Sequence, residues 1–180
     1  MRVISGEWRG RKLLAPKNDA TRPTADRTRE TLFSMLASRL GSFEGLHVAD
    51  LFAGSGALGI EALSRGAAQC LFAEQDRDAL DALRKNLGTL GAADRADVRA
   101  GSVLALGPAK RSYDLLLFDA PYGTGAGSVA LDKLNRLGWI GPDSLISIET
   151  AEEEAVEIAG FDIDAERKVG KAKLTLLRLA

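Results

Sequence analysis

From His47 to Ile148 the chain alternates between short apolar runs and helix-period segments, and this alternation restricts the fold more than any other feature of its 180 residues. Successive segments read as strand His47–Phe52, helix Ala57–Arg65, strand Gln69–Ala73, helix Asp76–Leu90, strand Asp97–Ala100, strand Tyr113–Phe118, helix Ser128–Leu137 and strand Leu145–Ile148. The strands are almost continuously apolar, so both of their faces must be covered, and helical crossovers make neighbouring strands parallel. The end of the chain differs. Phe161–Val169, a Gly170-Lys171 turn and Ala172–Leu179 give two strands joined without a helix, hence an antiparallel hairpin at one edge.

Ahead of this body, Thr24 reads as the N-cap of a helix from Ala25 to Leu40, with Leu32, Phe33, Leu36 and Leu40 on one stripe and Asp26 facing the dipole in the first turn. Arg2–Ser5 and Lys12–Ala15 flank a glycine-containing turn and predict a hairpin that displays Trp8 between basic residues. The expected class is therefore α/β. It comprises a seven-stranded, mostly parallel sheet with helices on both faces, an antiparallel C-terminal hairpin and a basic N-terminal hairpin extension. One domain is expected over 1–180, with 1–23 as extension and 24–180 as core.

Charge is distributed unevenly. The first 30 residues carry a net +4 and the remaining 150 a net −5, although the whole chain is only −1. A basic arm on a mildly acidic body suits local phosphate contact. Arg2, Arg9, Arg11, Lys12 and Arg22, with Trp8 among them, form the expected RNA-contacting set, while Arg65, Lys133 and Arg136 read as solvated charges. The N-terminus has no signal-like apolar stretch, and no segment approaches ~18 uninterrupted apolar residues, so a cytoplasmic, membrane-free protein is expected. One cysteine, Cys70, and one histidine, His47, predict a buried small hydrophobe in the first case and no metal site.

Two stretches carry the chemistry. Gly54-Ser55-Gly56-Ala57-Leu58-Gly59 is a glycine turn opening a helix after a strand, and Glu74 stands 20 residues beyond Gly54 at the end of the next strand. Free helix-terminal N–H groups and a ribose-binding carboxylate at that spacing match a dinucleotide site, which keeps a nicotinamide or flavin dehydrogenase in contention. Asp50, four residues before Gly54, points elsewhere, because a carboxylate there favours a cationic amino group and sulfonium over a pyrophosphate. The second stretch, Tyr113–Phe118, runs an apolar strand into Asp119-Ala120-Pro121-Tyr122, where a flat base fits between a carboxylate and an aromatic ring.

In four blocks, Arg2–Leu13, Arg22–Phe33, Asp50–Gly66 and Asp119–Tyr122, the chain resembles the bacterial 16S ribosomal RNA guanine-N2 methyltransferase family, the RsmD-like proteins. The resemblance implies a class I, Rossmann-like methyltransferase fold, S-adenosylmethionine as donor and one guanine of 16S rRNA as target, in free rRNA, the 30S subunit or an assembly intermediate. It implies cofactor contacts from Asp50, Phe52, Ala53, Gly54, Gly56, Glu74, Ser102 and Thr24, and a catalytic loop of Asp119, Ala120, Pro121 and Tyr122. A monomer is expected. The family usually has Asp-Pro-Pro before the aromatic; here Ala120 replaces the first proline, keeping the carbonyl but freeing its φ. A DNA or protein-glutamine amine methylase shares the Asp-x-Pro-Tyr chemistry, but it normally needs a separate recognition domain.

Overall fold

The computed structural model describes residues 1–16 and 23–180, without the side chains of Pro23 and Thr24. Helix α1 (Pro23–Leu40) is followed by β1 (His47–Leu51), α2 (Ala57–Ser64), β2 (Gln69–Glu74), α3 (Arg77–Leu90), β3 (Ala96–Ala100), β4 (Tyr113–Phe118), α4 (Ala126–Arg136), β5 (Ile140–Ala151), β6 (Phe161–Val169) and β7 (Ala172–Leu179). The seven strands form one sheet of order β3-β2-β1-β4-β5-β7-β6. β1 to β5 pair in parallel, and β7 runs antiparallel between β5 and the edge strand β6. The expected seven-stranded α/β sheet and its C-terminal hairpin are present.

Period-two alternation sorts the strand side chains onto two cores. On one face Val48, Cys70, Phe72, Leu115 and Leu117 pack with α1, α2, α3 and the N-terminal segment. On the other, Ala49, Leu51, Leu71, Leu116 and Phe118 pack with α4 and Trp139. Cys70 is buried as expected.

Three expected elements change. Thr24 does not cap α1, because the helix begins before it at Pro23; a proline suits the first helical turn, where its missing N–H is an orphan anyway. The N-terminal hairpin reduces to one antiparallel bridge between Arg2 and Lys12. β5 is longer than Leu145–Ile148, because the register with β4 jumps between Tyr113 and Leu115 and absorbs Gly141-Pro142-Asp143 as an irregularity. Ser144 ties that irregularity down by accepting from the Gly141 N–H and donating to the Tyr113 carbonyl.

The N-terminal segment is docked on α2. The buried Glu61 carboxylate accepts from the Ile4 and Ser5 N–H groups at 2.9 and 3.0 Å, and Ser64 Oγ accepts from the Trp8 N–H at 3.0 Å. Trp8 is consequently 7% exposed, with the Arg95 guanidinium 5.4 Å over its ring. It is a packing residue, and the expectation that it is displayed for stacking fails. Arg65 is no solvated charge either: it pairs with Glu61 at 2.9 Å and lies 4.9 Å over the Phe33 ring.

Candidate active site

The strand order reverses between β1 and β4, and at such a switch point the carboxyl ends of parallel strands leave a crevice. A cleft of about 890 Å³ opens there, lined on the β1 side by Phe52, Ala53, Gly54 and Ser55, on the β2 side by Glu74 and Gln75, and on the β4 side by Asp119, Pro121 and Tyr122. Ser102 and Val103 close one end.

The turn after β1 is held by strain and by hydrogen bonds. Phe52 has φ 65°, the one non-glycine with positive φ among the described residues. A left-handed side-chain-bearing residue costs ~1–3 kcal/mol and persists where its surroundings enforce it. Here the Ala53 N–H donates to the Ala73 carbonyl at 2.9 Å, and the Gly54 N–H donates to Glu74 Oε1 at 2.7 Å. Glu74 Oε2 accepts from the Gln75 and Asp76 N–H groups, which fixes the carboxylate at the mouth of the cleft. Asn86 of α3 bonds the Ser55 carbonyl and both backbone groups of Leu14, linking the glycine turn to the N-terminal segment. The sequence reading missed this asparagine; nothing in the helix pattern distinguishes it from a solvated polar residue.

The two glycines of the turn differ in role. A Cβ on Gly54 would meet nothing within 4 Å, so this position faces open space. A Cβ on Gly56 would lie 2.4 Å from Leu83 Cδ1 and 3.3 Å from Ile60 Cδ1. Gly56 is buried against the core and does not line the cleft, so its expected cofactor contact is corrected to close helix–strand packing. Gly56→Ala, at φ 89°, is expected to lower stability by ~2–4 kcal/mol through overpacking and left-handed strain. Gly54→Ala should lose ~1–2 kcal/mol. Urea denaturation of both variants checks the ordering.

Asp50 is also displaced from its expected place. It is 1% exposed and shares the face of Val48, where its Oδ2 accepts from the Gly59 N–H at 2.9 Å inside α2. Burial pushes its carboxyl well above the ordinary range, with the Gly59 bond opposing and the charges of Asp119 and Glu74 adding to the rise. Its Oδ1 has no partner among the described residues. Ser102 lines the cleft but spends its hydroxyl oxygen accepting from the Leu104 N–H at 3.1 Å.

At the end of β4, Asp119 is exposed to the cleft, Ala120 is buried and Tyr122 is 46% exposed. Tyr122 Oη donates to Glu149 Oε2 at 2.5 Å, and the Gly123 N–H donates to Glu154 Oε1 at 2.7 Å. Glu149, at the carboxyl end of β5, was not anticipated. The signal available was its position: Asp50, Glu74, Asp119 and Glu149 all stand within two residues of the carboxyl ends of parallel strands. Burial raises the Glu149 carboxyl, and the Tyr122 hydrogen bond opposes the rise.

Among the expected RNA-contacting residues, Arg2, Arg9, Arg11 and Lys12 are exposed. Arg2 donates to the Gly10 carbonyl and Arg11 to the Thr89 carbonyl. Arg22 and the Thr24 side chain lie outside what the structure describes. No described helix is long and apolar enough to cross a membrane, and no described group of acids, histidine or cysteine is arranged to hold a metal.

S-adenosylmethionine fits this cleft. The volume is ample, Glu74 presents a fixed carboxylate at a ribose position, Gly54 leaves its side open, and the turn is prestrained. The sheet order and the turn after β1 define a class I methyltransferase. The family described as "Conserved hypothetical protein 95" matches residues 1–178. The chain is 36% identical over 178 residues to ribosomal RNA small subunit methyltransferase D of Escherichia coli K12, covering 98% of this chain and 88% of the relative. It is 37% identical over 158 residues to the protein of that name from Haemophilus influenzae, covering 86% and 80%. The solved structure of yhhF from Escherichia coli superposes with a TM-score of 0.84 at 37% identity, covering 99% and 97%. The chain belongs to this family, the RsmD-like methyltransferases, whose donor is S-adenosylmethionine. The dehydrogenase reading of the glycine turn is set aside.

Proposed function

We propose that the protein methylates the exocyclic N2 amine of a guanine in 16S ribosomal RNA during small-subunit maturation, as a cytoplasmic monomer. The observation that carries this reading is that Asp119, Pro121 and Tyr122 share one cleft with the β1 glycine turn. The names of its relatives, rRNA small-subunit methyltransferases at 36–37% identity, support an RNA target.

A guanine amine is a poor nucleophile because its lone pair is delocalised into the ring. S-adenosylmethionine supplies a methyl group on a sulfonium, electrophilic enough to need only a well-aimed lone pair. Asp119 Oδ and the Ala120 carbonyl accept the two amine N–H bonds, which turns the lone pair toward the donor. Tyr122 stacks on the base after it leaves its helix, a contact worth ~1–3 kcal/mol. Orientation of this kind supplies most of the acceleration, and Asp119 is placed to take the proton released as the amine is alkylated.

Glu74 accepts from a ribose hydroxyl through the lone pair left on Oε1 beside its three backbone bonds, and Phe52 and Gly54 shape the turn around the donor. Arg9 and Lys12, with Arg2 and Arg11, supply phosphate contacts. The paired substitution Arg9→Ala with Lys12→Ala is expected to weaken RNA binding about tenfold at low salt and to flatten the salt slope by ~0.7 for each phosphate that is no longer neutralised. Filter binding across a salt series reads this directly.

The test of the reading is genetic. Small-subunit rRNA from cells lacking this protein should carry an unmodified guanine that regains an N2-methyl group on complementation. An unchanged modification pattern contradicts it, as does a methyl group appearing on DNA or protein instead.

A further inference from the structure

The last register pair of β4 and β5 is Phe118 with Ile148, so Asp119 and Glu149 follow on neighbouring strands, and both line the cleft beside Tyr122. Among the described residues two carboxylates therefore flank Tyr122, where amine orientation needs only one. Glu149 uses Oε2 to accept from Tyr122 Oη at 2.5 Å, while its Oε1 makes no hydrogen bond to a described residue. Burial already penalises the charge on Glu149, and a donor on a bound base offsets that penalty.

The edge of guanine does so. Its N2 amine and N1–H form a contiguous row of donors, whereas adenine, or any purine without a proton on N1, presents an acceptor at the second position. We propose that Glu149 is the guanine-selecting residue. It holds Tyr122 through Oε2 and accepts the N1–H of the target base through Oε1, while Asp119 accepts from the N2 amine. This inference rests on the function proposed above and assigns the base recognition within it. A base lacking the N1 proton would set a lone pair against the Glu149 carboxylate, and sites that leave a buried polar group opposed reject such analogues strongly.

The decisive probe is 2-aminopurine, which keeps the exocyclic 2-amine but carries an acceptor at N1. An RNA fragment with the mapped target guanine, and the same fragment with 2-aminopurine at that position, are methylated under single-turnover conditions by the wild type and by Glu149→Gln. The wild type is expected to prefer guanine by about 100-fold. Glu149→Gln, whose amide can donate as well as accept, is expected to bring that preference to within a few-fold of unity.

A residue that merely positioned Tyr122 would slow both substrates alike and leave the preference intact. That result overturns the proposal, as does a wild-type preference near unity. Tyr122→Phe, which removes the hydroxyl but leaves Glu149, should retain the preference while lowering turnover; loss of the preference there also overturns it. If the wild type methylates neither fragment, the guanine-N2 reading itself fails and the inference goes with it. A wild type active on guanine with an unchanged preference in Glu149→Gln isolates the failure to Glu149.

Discussion

Asp119→Ala is expected to reduce single-turnover methyl transfer by about 10²–10³, the loss typical of removing one preorganised polar contact at a reacting group. S-adenosylmethionine affinity should stay within about threefold of the wild type. The reasoning is local. Asp119 stands just past β4, whereas Glu74 and the Phe52–Gly54 turn that frame the donor follow from β2 and β1. Removal of Asp119 is expected to disturb orientation of the amine rather than the donor site. Quenched-flow transfer together with calorimetry separates the two effects. Near-normal transfer would remove Asp119 from the chemistry, and a large loss of donor affinity would move it into the donor site.

The largest effect on stability is expected at Glu61, which is 1% exposed. Its carboxylate accepts from the Ile4 and Ser5 N–H groups, pairs with Arg65 at 2.9 Å and lies 3.7 Å from Arg29 Nε. Arg29 is itself 4% exposed, and it also donates to the Arg2 carbonyl and to Asp26. One acid thus joins α1, α2 and the N-terminal segment. Removing a single partner of a buried charge network costs ~3–5 kcal/mol, because the remaining charge keeps its desolvation penalty without its compensation.

Glu61→Ala is therefore expected to lower the melting temperature by ~6–20 °C, at ~2–4 °C per kcal/mol for a chain of this size. It should also loosen the segment that carries Arg9, Arg11 and Lys12. Calorimetric melting provides the check. A melting point within a degree or two of the wild type would mean that the network contributes little beyond its own desolvation cost.

The legible part of this molecule was the part written in periodicity. The boundaries of β4 and β7 follow from largely apolar runs, and that of β6 from the Gly170-Lys171 turn that joins it to β7; all three agree with the structure to the residue. β5 extends beyond the apolar run Leu145–Ile148 because the sheet takes in Pro142 and Asp143 through a register shift pinned by Ser144. Motif residues such as Gly54, Glu74 and Asp119 were placed in the cleft by the spacing of strand ends.

Residues whose role depends on a partner far along the chain were not legible. Trp8 sits between Glu7 and Arg9 and reads as exposed; its burial is decided by α2 and Arg95. Arg65 reads as a surface charge until Glu61 and Phe33 are seen around it. Gly56 has the sequence context of a ligand-approaching glycine, and only the position of Leu83 reveals that its missing side chain makes room for the core.

The central claim is that one cleft brings the methyl donor and the 2-amine of an unstacked guanine together. Its most direct test is to incubate purified protein and methyl-tritiated S-adenosylmethionine with unmodified small subunits and, separately, with naked 16S rRNA, then to digest the RNA and resolve its nucleosides. The account predicts that the label appears as N2-methylguanosine, at one position, in at least one of the two substrates. Label at a ring nitrogen, a ribose oxygen or another base, or no transfer to either substrate, would contradict it.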